Sequence, residues 1–212
     1  MRFEEALQRI KEGVEKPLPG KEAHLKMSPQ PVDARRFDPK IPQTHRRSAV
    51  LILLYPQGKD AFFPLIKRPV YRGAHSGQIA LPGGKMEPTD PDIIYTALRE
   101  AEEEVAVNPE KVSVLGKLSN LYIPTSNFLV TPILGFSEEI PDFIPEVREV
   151  QRILPTALKS LFDEPLRQRK QLKISPDLEL DTPFFEIDQE MVWGATAMIL
   201  SELIELLLGR EE

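Results

Sequence analysis

Leu81–Val107 reads LPGGKMEPTDPDIIYTALREAEEEVAV. A pair of glycines is followed by a proline-bearing turn and then by a run at helical spacing. Asp90 or Thr89 suits the helix N-cap and Pro91 its first position. At about 100° per residue, Ile93, Ile94, Ala97, Leu98, Ala101 and Val105 share one face, which predicts a helix packed on a sheet. Glu100 and Glu104 border that face about 40° apart on the same wheel, with Glu103 beside them and Glu102 turned to solvent. Like charges one turn apart destabilise a helix, and its C-terminal half disfavours anions. Partial burial raises the cost of their repulsion. A solvated glutamate-rich face is one explanation. A hard divalent cation, which takes oxygen ligands, is the other. The Gly83–Gly84 turn weighs for the second, because it lets the backbone bend and bring carbonyls to the carboxylates.

Working outward, Phe3, Ala6, Leu7, Ile10 and Val14 recur at helical spacing, so residues 3–16 read as an amphipathic helix that Pro17 ends. Residues 16–43 are rich in proline and charge and show no period, as in an extended arm or a linker. SAVLILLYP from Ser48 and AFFPLIKR are strands joined by the turn QGKD. PVYRGAHSGQIALPGG reads as loop. VSVLGKL at 112–118 and FLVTPILGF at 128–136 are strands, with the loop SNLYIPTSN between them. VREVQRILP reads as a further strand, PTALKSLF as a short helix, and LKISPDLEL with TPFFEID as a hairpin. A last helix, roughly 189–208, stops at Gly209, a suitable C-cap. Trp193 reads as core. Sheet material with few helices points to α/β or α+β, with helices packed on a mixed sheet.

The composition sets limits. The 212 residues suit one domain, with an appendage over 1–44 and the main domain over 45–212. The net charge of −6 argues against nucleic acid or an anionic membrane as the main partner. A small anionic substrate remains compatible, since a bound metal outweighs net charge locally. There is no cysteine, which excludes disulfides, a catalytic thiol and zinc–thiolate sites. No signal peptide or membrane-length apolar run is visible, so a cytoplasmic protein is expected. The oligomeric state stays open, a homodimer included.

Residues Gly84 to Val107 resemble the Nudix box. Gly84 is followed after five residues by an acid, Asp90, and later by Arg99, Glu100, Ala101, Glu102, Glu103, Glu104 and Val105 in the family's order. There are two departures. Eight residues rather than seven separate Asp90 from Arg99, and Ala106 stands where the family has glycine. The preceding stretch, LIKRPVYRGAHSGQIALPGGK, resembles the segment that coenzyme A diphosphatases of this family carry, through Arg68, His75, Gly77, Gln78, Pro82, Gly83 and Gly84. In it Arg72 comes one position early and Leu81 replaces a phenylalanine. LYIPTSNFLVTP and WGATAMIL are similar to the same branch, so the likeness spans about 45–200.

The resemblance implies an α/β/α sandwich with the box helix and a C-terminal helix on a mixed sheet. It implies metal-dependent hydrolysis of the diphosphate bond of coenzyme A or its thioesters, without a covalent intermediate. ADP-ribose or another nucleoside diphosphate derivative is the alternative substrate. A non-catalytic nucleotide sensor is a further one, disfavoured because all three glutamates are present. Mg²⁺ or Mn²⁺ would be held by Glu100, Glu104 and the Gly83 carbonyl, with Glu103 assisting at a further ion. Arg99 would orient Glu103 or Asp90. The general base is Glu103, or Glu149 or Glu146 from outside the box. An exposed structural acid is the plainer account of Glu149, and a loop hydrogen bond that of His75. Arg46, Arg47, Arg68, Arg72 and the backbone at Gly84 are candidates for meeting substrate phosphates. Arg68 or Arg72 would read the 3′-phosphate of coenzyme A.

Overall fold

The computed structural model describes residues 1–38, 40–71, 75–175 and 178–209. Its centre is β1 (Arg46–Gln57), whose apolar run is buried on both sides, as strands covered on both faces require. Ala49, Leu51 and Leu53 point to one face, while Ile52 and Leu54 point to the other. β1 pairs in parallel with β7 (Phe128–Phe136) and antiparallel with β2 (Asp60–Lys67) and β4 (Gly83–Lys85). Two short strands, β3 (Ile79–Ala80) and β8 (Arg152–Ala157), flank β2. β5 (Ser113–Lys117) and β6 (Leu121–Ile123) flank β7. The result is a mixed sheet of eight strands.

One face carries α3 (Ile93–Val105), which buries Ala97, Ala101 and Val105 against Ala49, Leu51, Leu53 and Ile133. The other face carries α1 (Phe3–Val14) and α4 (Gly194–Leu208), with Phe3, Leu7, Ile10, Met198 and Leu203 in the larger core. This is the expected α/β/α arrangement. β9 (Arg167–Ser175), β10 (Leu178–Ile187) and β11 (Glu190–Trp193) form a separate antiparallel sheet leading into α4. Among the described residues no helix is long and apolar enough to cross a membrane.

Several local expectations are corrected. α3 starts at Ile93, and Asp92 rather than Asp90 or Thr89 is its N-cap, accepting from the Tyr95 N–H at 2.8 Å. Thr96 takes a buried position, while Ile94 is exposed. The aperiodic arm contains a helix, α2 (Gly20–Lys26), which is too short to display a period but packs on α4. The loop 119–127 contains β6, and strand β8 starts only at Arg152. LKISPDLEL does not pair as one strand with TPFFEID; its two halves belong to β9 and β10, which pair with each other, and residues 176–177 lie outside the described residues. The last helix starts at Gly194, because 190–193 pair with β10 first. Trp193 is half-buried rather than core. The helix end at Ala106 is left-handed (φ 58°), the conformation that makes glycine the favoured residue there.

α2 is held by a buried carboxylate that gathers hydrogen bonds. The Glu202 carboxylate on α4 meets His24 Nε2 at 2.9 Å and accepts from the backbone N–H of Gly20 at 2.9 Å and of Ser119 at 3.2 Å. Burial opposes this charge, yet its hydrogen-bond partners, His24 first, leave Glu202 below the ordinary glutamate value. Glu202→Ala strips one buried and two half-buried partners at once and should lower stability by about 3–5 kcal/mol. Denaturant unfolding measures it, and a loss under about 1 kcal/mol would contradict this role.

Candidate metal and diphosphate site

The site forms where α3 crosses the β4 end of the sheet. β4 pairs with β1 so that Gly83 stands opposite Val50 and Gly84 opposite Ala49. Gly83 has φ 150°, and a Cβ there would sit 2.2 Å from the Ala49 carbonyl oxygen and 2.5 Å from Val50 Cα. A Cβ on Gly84 would meet Glu100 Oε2 at 2.2 Å. The two glycines therefore have different jobs. Gly83 lets the strand pass β1, and Gly84 makes room for a carboxylate.

Glu104 is fully buried, and its Oε2 accepts from the Gly83 N–H at 2.7 Å. Burial pushes Glu104 up to about 7, against the opposing effects of Arg68 and the Gly83 hydrogen bond. Burial also raises Glu100, against Arg99. Smaller upward contributions come from Glu149 on both groups. Arg68 Nη2 lies 3.4 Å from the Gly83 carbonyl oxygen and 3.7 Å from Glu104 Oε1.

Arg99 organises the outer side. Its Nε and Nη2 donate to both oxygens of Asp90 at 3.0 Å. Nη1 donates to Glu103 at 2.9 Å, and Nη2 also reaches Glu100 at 2.9 Å and the Lys85 carbonyl at 3.1 Å. Thr96 Oγ1 and the Glu87 N–H donate to Asp90 at 2.9 Å. Arg99, chiefly, holds Asp90 at about 2. The extra residue between Asp90 and Arg99 thus leaves the pair intact, because Asp92 takes over the capping. Asp90 is a buried anchor for Arg99, and the Arg99 fork fixes Glu100 and Glu103 in turn.

Glu103 is largely exposed and stands apart from the buried Glu104. Among the described residues no three acidic or histidine side chains already gather around one point. The donor set nevertheless fits a hard divalent cation. It consists of two carboxylates one turn apart, one of them fully buried and raised by that burial, the Gly83 carbonyl oxygen on the adjoining strand, and a glycine whose missing Cβ leaves space beside Glu100.

Of the arginines, Arg68 reaches this cradle. Arg46 lies at the start of β1, donating to the Ser126 carbonyl at 2.7 Å with its guanidinium 4.0 Å above the Phe128 ring. Arg47 is exposed, and its carbonyl accepts from the Met86 N–H. Arg72 lies outside the described residues. His75 Nδ1 pairs with Gln78 Oε1 at 3.0 Å, a loop bond. The 146–150 turn is pinned to the end of α3 by the Glu146 N–H on the Glu104 carbonyl at 2.9 Å, which brings Glu149 within electrostatic reach of Glu100 and Glu104. Nothing in the local sequence marks that long-range contact.

Residues 44–169 match the NUDIX domain family. The chain belongs to the Nudix family. A relative from Yersinia pestis, described as an uncharacterized Nudix hydrolase NudL, is 34% identical over 184 residues, spanning 84% of this chain and 87% of its own. One from Yersinia pseudotuberculosis matches to the same extent. The solved MutT/nudix family protein of Enterococcus faecalis shares the fold, with a TM-score of 0.52 at 16% identity over 78% of this chain and 63% of its own. The chain is a hydrolase acting on diphosphate bonds, and its family generally uses divalent ions such as Mg²⁺ or Mn²⁺.

The glycines separate fold from chemistry. Gly83→Ala forces a Cβ into fixed backbone and should destabilise by about 1–3 kcal/mol. Gly84→Ala meets only the carboxylate end of the Glu100 side chain, which can turn aside at the cost of its Arg99 contact, so melting should stay nearer wild type than in Gly83→Ala. Turnover should fall on the order of a hundredfold, as for misplaced catalytic groups generally. Thermal melts and initial rates on both variants check this. Full activity in Gly84→Ala would remove Glu100 from the site.

Proposed function

We propose that the chain hydrolyses the diphosphate of coenzyme A or its thioesters, releasing 3′-phosphoadenosine 5′-phosphate and (acyl-)phosphopantetheine. One observation carries the reading. Among the described residues behind the resemblance to coenzyme A diphosphatases, loop bonds tie the segment's two sides together: the Arg68 N–H on the Gln78 carbonyl at 3.0 Å, the Gly77 N–H on the Pro69 carbonyl at 3.1 Å and the His75–Gln78 bond. That loop delivers Arg68 to the cradle.

In this reading Glu100, Glu104 and the Gly83 carbonyl would hold Mg²⁺ or Mn²⁺, and Glu103 would assist. The ion supplies the positive charge that two adjacent phosphates require. Asp90 holds Arg99, and Arg99 holds the Glu100 and Glu103 carboxylates in orientation. Arg68 turns from the Gly83 carbonyl to a diphosphate oxygen, for which its fork is suited. A water oxygen bonds to one phosphorus, the bridging P–O bond breaks, and a carboxylate takes the water's proton. Glu149 suits that proton transfer better than Glu103, because Glu149 acts on both ligand carboxylates, whereas Glu103 acts on Glu100 alone and is tied to Arg99. Glu149→Gln should lower kcat by about 10²–10⁴, the usual range for a general base, with a smaller loss in Glu103→Gln. The reverse order would exchange their roles.

ADP-ribose is the competing substrate, since it offers the same diphosphate to the same cradle. Rates on coenzyme A, dephospho-coenzyme A and ADP-ribose, with products identified by mass, separate the two. A site that contacts the 3′-phosphate gains about 1.5–3 kcal/mol from one charge-assisted bond. Coenzyme A should then exceed dephospho-coenzyme A about tenfold or more in kcat/KM. Equal rates on those two, with ADP-ribose well ahead, would overturn the coenzyme A reading.

A further inference from the structure

The 3₁₀ turn Ala34–Phe37 packs against β6 and carries Arg36. Arg36 Nη1 is buried without a hydrogen-bond partner. Only one other side-chain polar atom among the described residues is left this way, the Ser126 hydroxyl oxygen. The adjacent acid is already engaged. Asp33 accepts from Arg35 Nε at 2.9 Å and Nη2 at 2.7 Å, and also caps the Arg35 N–H. Burial, the largest influence, leaves the Arg36 guanidinium below its ordinary value. Asp33 offsets this burial only in part, being tied to Arg35, and a buried guanidinium nitrogen left without a hydrogen-bond partner is unfavourable and rare in natural interiors.

The two orphaned groups flank one strand. Arg36 sits on the turn that packs against β6, and Ser126 on the turn that leaves it. That second turn is firmly built. Asn127 Nδ2 donates to the Thr44 carbonyl at 3.0 Å, Tyr122 Oη donates to Asn127 Oδ1 at 2.9 Å, and the Arg46 N–H donates to the Asn127 carbonyl at 2.8 Å. Arg46 lies across it, bound to the Ser126 carbonyl and stacked on Phe128 rather than paired with a carboxylate. The strand ladder ties this place to the cradle. Lys85 pairs with Ser48, Ser48 with Val130, and Val130 with Leu121 of β6, so both lie along one end of the sheet.

We propose that Arg36, with Arg46 and the Ser126 hydroxyl, forms a subsite for a phosphate monoester, the non-reacting phosphate of the substrate. Guanidinium forks and a hydroxyl donor are the groups that recognise such an anion. The identity of the phosphate rests on the coenzyme A reading. The existence of the subsite rests on the orphaned groups. The arm before β1 then completes the substrate site.

Calorimetry with adenosine 3′,5′-bisphosphate and with AMP tests it. The wild type should bind the bisphosphate about tenfold tighter or more, the effect of one charge-assisted contact. Arg36→Met keeps the stem that packs the arm and should erase that preference, with an unchanged or higher melting temperature. Arg36→Lys should restore part of it. A preference retained in Arg36→Met, or no preference in the wild type, overturns the proposal. Inorganic phosphate identifies the source. If it raises the wild-type melting temperature through Arg36 while the two nucleotides bind alike, the site takes free phosphate and the substrate assignment falls. The two readings fail separately. Coenzyme A hydrolysis with the preference intact in Arg36→Met sinks only the subsite. No hydrolysis of coenzyme A, with the Arg36-dependent preference present, sinks only the coenzyme A reading.

Discussion

The bond from the Gly83 N–H to the Glu104 carboxylate joins the two halves of the site. It locks α3 to β4 at the point where a buried anion is least welcome. The helix needs its apolar face on the sheet, and the same rotation drives Glu104 into the interior. One amide and a distant guanidinium do not balance that charge, which is why the carboxylate stands near neutrality on its own. On the proposed metal reading, the site's other features serve this place: the missing Cβ at Gly84 makes room for the Glu100 carboxylate, and the Arg99 fork orients Glu100 and Glu103.

Arg99 shows how a motif survives an insertion. Asp92 caps the helix, and Asp90 anchors the guanidinium while also accepting from Thr96 and the Glu87 N–H. The family's late glycine is replaced by Ala106 without loss of the left-handed turn. The acid–arginine contact therefore forms in this chain even where its spacing departs from the pattern.

Sequence periodicity was most informative where burial is one-sided or continuous. α3, β1 and β7 emerge almost residue for residue, because their apolar positions repeat over more than two turns or a full strand. α2 did not, since its seven residues are stabilised by Glu202 far along the chain rather than by a pattern of their own. The β9–β10 turn was misplaced because both strands are polar on their exposed side and offer little alternation to set the register. At the site, Glu100, Glu104, Gly83 and Gly84 were legible from local spacing. Arg68 on the Gly83 carbonyl, Glu149 near the carboxylates and the unpaired Arg36 depend on contacts between distant segments, which a single sequence does not display.

The central claim is that Glu104 and its neighbours form a divalent-ion site in the folded protein. Mn²⁺ titrated calorimetrically into substrate-free protein tests it most directly, on the wild type and on Glu104→Gln, which retains shape and removes charge. Saturating Mn²⁺ at 100 times its dissociation constant should also raise wild-type stability by about 2.7 kcal/mol, as binding to the native state alone requires. The account predicts one or more Mn²⁺ bound by the wild type, with affinity sharply reduced in the variant. Equal binding by both proteins, or none by the wild type, would contradict it.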